Sequence, residues 1–116
     1  MTDKRVVLVT CGSAREAAEI GKAMVEAGLA ACANVVTVPV MSIYRWKGKV
    51  EKASERVMIL KTTRRKFPEL KRAIAKLHSY DVPEIIALPI AEGLEAYLEW
   101  IADSTSAPRR RRGGRK

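Results

Sequence analysis

The sequence predicts an α+β fold in which a four-stranded antiparallel sheet carries two helices on one face and a third helix closes the chain. Two observations predict it. Short runs rich in β-branched residues alternate with stretches whose apolar residues recur every three or four positions, and the pieces follow in the order β-α-β-β-α-β before the last helix. The 116 residues leave room for one core, and 47% hydrophobic with 30% charged residues is the composition of a folded chain.

Residues 5–10 (RVVLVT) form a continuous apolar run of the kind found in the middle of a sheet. Ser13, with Glu16 three residues later, is a capping box that opens a helix over residues 14–27; Ala17, Ile20, Gly21 and Met24 make its apolar stripe, and Gly28 supplies the left-handed cap. Residues 33–46 favour an extended second strand, bent at Pro39, which lacks an N–H for pairing. Lys47 and Gly48 form a turn, and residues 50–62 return as the third strand of a long hairpin. Such a hairpin projects beyond so small a domain and needs another surface to cover Tyr44, Trp46 and Val50, which argues for an oligomer. Phe67, Leu70, Ile74 and Leu77 then mark a second helix that ends near His78, with Pro68 in its first turn and a strongly basic opposite face. Residues 84–90 are the fourth strand, closed by Pro89, and Leu94, Tyr97, Leu98 and Ile101 give a third helix up to about Ala102. The order is the ferredoxin-like split βαβ sandwich. The domain is expected over residues 1–104, with a disordered basic tail over 105–116.

The net charge of +9 owes six units to Arg109, Arg110, Arg111, Arg112, Arg115 and Lys116, so the folded part is only mildly basic. The tail is read as a solvated segment that aids solubility, with non-specific contact to a polyanion as the alternative. No export signal or membrane-length apolar stretch is read, and Cys11 and Cys32 suit reduced thiols in the cytoplasm.

Leu29-Ala30-Ala31-Cys32-Ala33-Asn34, the run from Ser42 to Val50, Lys61-Thr62 and the run from His78 to Ile90 resemble the signature stretches of the CutA family, the divalent-cation tolerance proteins. With Tyr97, Leu98 and Trp100 they cover the chain from the first strand to the third helix. The resemblance implies a ferredoxin-like protomer, a tight homotrimer whose hairpins pair across subunits, an association with divalent metals, copper above all, and no established catalytic reaction. The chain departs from the pattern at Ser79, where proline is usual, and at Leu77, where some relatives have a second histidine.

The donors available to a soft or borderline metal are His78, Cys11 and Cys32, with Met41 and Met58 as weaker thioethers. No local metal-ligand spacing joins them, so any site must be assembled by the fold. Cys11 follows the first strand and His78 ends the second helix, which would bring them to one end of the sheet. The helix amides would lower the Cys11 thiol pKa, whereas His78 is either a ligand or a helix-terminal histidine favoured by the dipole. Cys32 reads as a packed thiol. Glu51, Glu55, Asp81 and Glu84 could supply a hard or mixed oxygen site, but charged residues near turns and strand ends are normally solvated or paired with lysine and arginine, and that reading is the stronger. Tyr44, Trp46, Tyr80 and Trp100 either line a cleft between subunits or pack in the core and interface. A lone histidine and the lack of a Gly-rich phosphate loop or nucleophile triad speak against an enzyme. Three readings follow: a trimeric copper-associated protein with Cys11 and His78 as ligands, a trimeric scaffold or PII-like regulatory module that binds a small molecule between subunits, and, more weakly, a nucleic-acid accessory protein acting through Arg109 to Lys116.

Overall fold

The structure, a computed structural model, describes residues 2–106. Its elements run β1 (Lys4–Cys11), α1 (Ala14–Glu26), β2 (Cys32–Val35), β3 (Val40–Trp46), β4 (Lys49–Thr63), α2 (Phe67–Leu77), β5 (Ile85–Pro89) and α3 (Glu95–Ser104). The five strands form an antiparallel sheet in the order β2-β4-β1-β5, with β3 paired to the outer part of β4.

The single long strand expected over residues 33–46 is two strands. β2 pairs with Met58–Lys61 of β4, and β3 pairs with the stretch from Lys49 to Glu55. Pro39 separates them because it cannot donate to the ladder. The gap stays tied to β4 where the Val36 N–H donates to the Val57 carbonyl at 2.9 Å and Arg56 Nε donates to the Thr37 carbonyl at 2.8 Å. The turn falls where it was expected: Lys47 and Gly48 both have positive φ, 50° and 82°, the requirement of a two-residue hairpin turn. β4 spans 15 residues, so it runs about 50 Å, close to the longest dimension of the molecule, 48 Å.

Side chains alternate across β1 and β4. Val7, Val9, Met58 and Leu60 point to one face and are fully buried with Leu70 and Ile74 of α2 and Ala17, Ile20 and Met24 of α1. Helix α1 lies close on the sheet: a Cβ at Gly21 would stand 2.9 Å from the Ala33 Cβ and 3.1 Å from the Met58 sulfur. The opposite face, with Val6, Leu8 and Ile59 half-buried and Ile86 and Leu88 nearly half exposed, meets α3 near Cys32, whose sulfur is 3.8 Å from the Tyr97 hydroxyl. Thr105, expected to open the tail, is buried and donates from its hydroxyl to the Ile101 carbonyl, closing α3. Residues 107–116, the rest of the expected tail, lie outside the described residues.

Candidate functional site

Along β3, from the base of the hairpin at Glu55 toward its tip at Trp46, a cleft of about 700 Å³ opens. Ser42, Ile43, Tyr44 and Trp46 form one wall, the loop 80–84 forms the other, and Thr10 and Glu55 complete the lining. Tyr44, Trp46 and Tyr80, expected either in a cleft between subunits or in core and interface packing, line this cleft of a single protomer. Trp100 is not part of that lining; it stacks tilted on Tyr97 of α3, with ring centroids 5.4 Å apart.

Glu55 is 7% exposed, and its Oε2 accepts a 2.7 Å hydrogen bond from the Tyr80 hydroxyl. Among the described residues no lysine or arginine forms an ion pair with it. Burial, followed by the bond to the Glu55 carboxylate, pushes the Tyr80 phenol far above its ordinary range, so it stays a donor. A carboxylate was expected here to be solvated or paired with a cation; it is neither. Asp81 and Glu84 are exposed at the rim of the same cleft.

Behind this wall His78 holds the loop to the sheet. The Tyr80 backbone N–H donates to His78 Nδ1 at 3.1 Å, so Nδ1 carries no proton, and Nε2–H donates to the Thr10 carbonyl at 2.8 Å. Its ring lies 4.7 Å from that of Tyr80, and its side chain is sealed from solvent. Glu16 braces the same loop: Oε2 accepts the Ser79 N–H at 2.8 Å and lies 3.7 Å from His78 Nδ1, while Oε1 accepts the Gly12 N–H at 3.3 Å. In the capping box the Ser13 hydroxyl accepts the Glu16 N–H as expected, but the carboxylate reaches Gly12 and Ser79 rather than Ser13. Burial alone would raise the Glu16 carboxyl. The Ser79 and Gly12 hydrogen bonds outweigh it and hold the group below its ordinary value.

Cys11 reverses its expectation. Rather than being activated by the helix amides, the thiol is fully buried, and desolvation first, then the negative charges of Glu16 and Glu55, push it up to about 11. Cys11 and His78 come near one another only through the chain, since His78 bonds the carbonyl of the preceding residue. A metal needs a thiolate and a free imidazole lone pair. Here the thiol is held protonated and both ring nitrogens are engaged, so the pair does not fit a resident metal ion. Among the described residues no three His, Cys, Asp or Glu side chains are grouped to hold one. Cys32 is half-buried beside Lys61, whose Nζ is 3.9 Å from its sulfur and 2.7 Å from Asn34 Oδ1. Met58 is core, whereas Met41 and Glu51 lie exposed on the hairpin.

Residues 5–104 match the family model described as CutA1 divalent ion tolerance protein. The chain is 49% identical over 102 residues to the divalent-cation tolerance protein CutA of Thermus thermophilus, covering 88% of this chain and 98% of that one. It is 42% identical over 99 residues to Protein CutA of Mus musculus, covering 85% of this chain but only 55% of the mouse protein. The solved structure of the Thermus thermophilus protein superposes with a TM-score of 0.86 at 48% identity, covering 89% and 99% of the two chains. A structure described as the periplasmic divalent cation tolerance protein CutA from Archaeoglobus fulgidus superposes with a TM-score of 0.85 at 39% identity, covering 89% and 99%.

Proposed function

Because the chain belongs to the CutA1 divalent ion tolerance family, we propose that it serves divalent-cation tolerance without catalysis, as a homotrimer of ferredoxin-like protomers that meets cations at the Glu55 cleft. The observation that carries the reading is Glu55 itself, a buried carboxylate facing a cleft with no lysine or arginine of the described residues in an ion pair with it. Buried charges are paired or coordinate an ion. Asp81 and Glu84 at the rim add carboxylate oxygens, which suit harder divalent ions better than copper(I). The protomer alone offers too few ligands for a closed cage, so the remaining positions fall to water or to a neighbouring copy.

Assembly is supported by what one protomer leaves bare. Ile43 and Val50 on the hairpin are each 64% exposed, Trp46 43%, and Ile86 and Leu88 open an apolar sheet face. β2, β3 and β5 each pair on one side only, which leaves edges open to another copy. The number three rests on the family resemblance. The strand order β2-β4-β1-β5, with α1 and α2 on one face, supports the ferredoxin-like reading. Free thiols at Cys11 and Cys32 support residence in a reducing compartment such as the cytoplasm.

Copper held by Cys11 and His78, the pair favoured by the sequence, requires the Thr10 and Tyr80 hydrogen bonds to break and a high-pKa thiol to ionise. The small-molecule regulatory reading keeps one specific support, since the cleft has the volume and aromatic walls of a ligand pocket. Calorimetric titration with manganese(II) and copper(II) separates these. The proposal expects uptake that Glu55→Gln abolishes and Cys11→Ser/His78→Ala preserves; uptake that follows the Cys11/His78 pair instead refutes the cleft as the site.

A further inference from the structure

Helix α2 and the turn before it carry six cations, Arg64, Arg65, Lys66, Lys71, Arg72 and Lys76, against one acid, Glu69; all the cations but Lys66 are exposed. On α1 the exposed cations are matched, Arg15 to Glu19 at 3.2 Å and Lys22 to Glu26 at 4.0 Å, each four residues on. On α2 the residue four after Lys71 is Ala75, and four after Arg72 is Lys76, a like-charge spacing that weakens a helix. None of the six forms an ion pair with a described acid. The helix is held instead by Leu70 and Ile74, both fully buried. A cluster of cations that opposes its own helix and is answered by no acid among the described residues favours an external anion.

The kind of anion follows from what surrounds the cluster. The apolar face of α2 is spent on the core, so the helix cannot insert it into a bilayer. Phe67 is half-buried under Lys71 Nζ, 5.6 Å from its ring centroid, and no exposed aromatic ring stands between the cations to stack a base. What remains is a cluster of exposed cations on and just before a rigid helix about 16 Å long, from 11 residues at a rise of about 1.5 Å each, which a run of backbone phosphates complements in charge. We propose that α2 and the Arg64–Lys66 turn form a sequence-independent docking surface for the phosphate backbone of double-stranded nucleic acid. It is independent of the Glu55 cleft and of the tail cations.

The test is fluorescence anisotropy of full-length protein with a labelled DNA duplex of about 20 base pairs, over roughly 50 to 200 mM salt. Lys71→Gln/Arg72→Gln/Lys76→Gln is made both in the native chain and in one whose Arg109, Arg110, Arg111 and Arg112 are glutamine. Removing three phosphate contacts lowers the slope of log affinity against log salt by about 2.7, and weakens binding at low salt at least tenfold. Lys71→Arg/Lys76→Arg, which keeps the charge, retains the wild-type slope. Three results overturn the proposal: no duplex binding by the wild type at low salt, an unchanged slope in the α2 variant, or complete loss of binding on neutralising the tail alone. Tighter binding to phosphatidylserine vesicles than to duplex also overturns it.

Discussion

Glu16→Ala removes the brace that joins the start of α1 to the loop behind the cleft. The side chain is 19% exposed and its carboxylate accepts two backbone donors, Ser79 N–H at 2.8 Å and Gly12 N–H at 3.3 Å. A hydrogen bond to a charged group contributes about 1.5–3 kcal/mol, and the longer, exposed Gly12 contact belongs below that range, so the expected loss is about 2–3 kcal/mol. The depressed carboxyl adds a pH signature. A group whose folded pKa lies below its ordinary 4.5 stabilises fully above that value and loses the contribution as pH falls through the folded pKa. Urea unfolding at fixed protomer concentration therefore shows the full deficit of the variant at neutral pH, and the deficit narrows below pH ~4.5 as the wild type loses its advantage. A deficit under about 0.5 kcal/mol at neutral pH, or one that does not shrink in acid, refutes the account of Glu16 as a charged brace.

At pH ~8 a thiol held near 11 is roughly one part in a thousand thiolate, so Cys32 reacts first with a disulfide reagent and Cys11 stays silent until the chain unfolds, as read by peptide mass mapping. Thr62→Val deletes the buried 2.7 Å bond from the Thr62 hydroxyl to the Leu29 carbonyl and lowers stability by about 1–2 kcal/mol in denaturant unfolding. Gly48→Ala forces a Cβ into the left-handed turn at φ 82° and costs about 1 kcal/mol, with the loss absent if the turn relaxes.

Much of the fold was legible because its cues are local. A continuous run of β-branched apolar residues marked β1, the capping box marked α1, and Lys47-Gly48 marked the turn, each within a few residues of the feature it sets. Pro39 announced an interruption but not its extent, since whether a strand bends or divides depends on how β4 pairs on either side. Of the four rings offered for a cleft or for packing because aromatics concentrate at both, Tyr44, Trp46 and Tyr80 line the cleft and Trp100 does not, a division no local pattern marks. Cys11 was misread because a corner beside helix amides and a sealed core position share one sequence; burial decided the thiol pKa, and burial is a tertiary quantity. Glu55 was legible only as one of four carboxylates that could supply oxygen ligands, with nothing to set it apart from Glu51, Asp81 and Glu84. Its partner Tyr80 lies 25 residues away, and only folding brings the two together.

Native mass spectrometry of the full-length protein, with and without manganese(II), on the wild type and on Glu55→Gln tests the central claim most directly. The account predicts a trimer in both proteins and bound divalent ions in the wild type alone. A monomer at micromolar concentration, or equal ion uptake by Glu55→Gln, contradicts it.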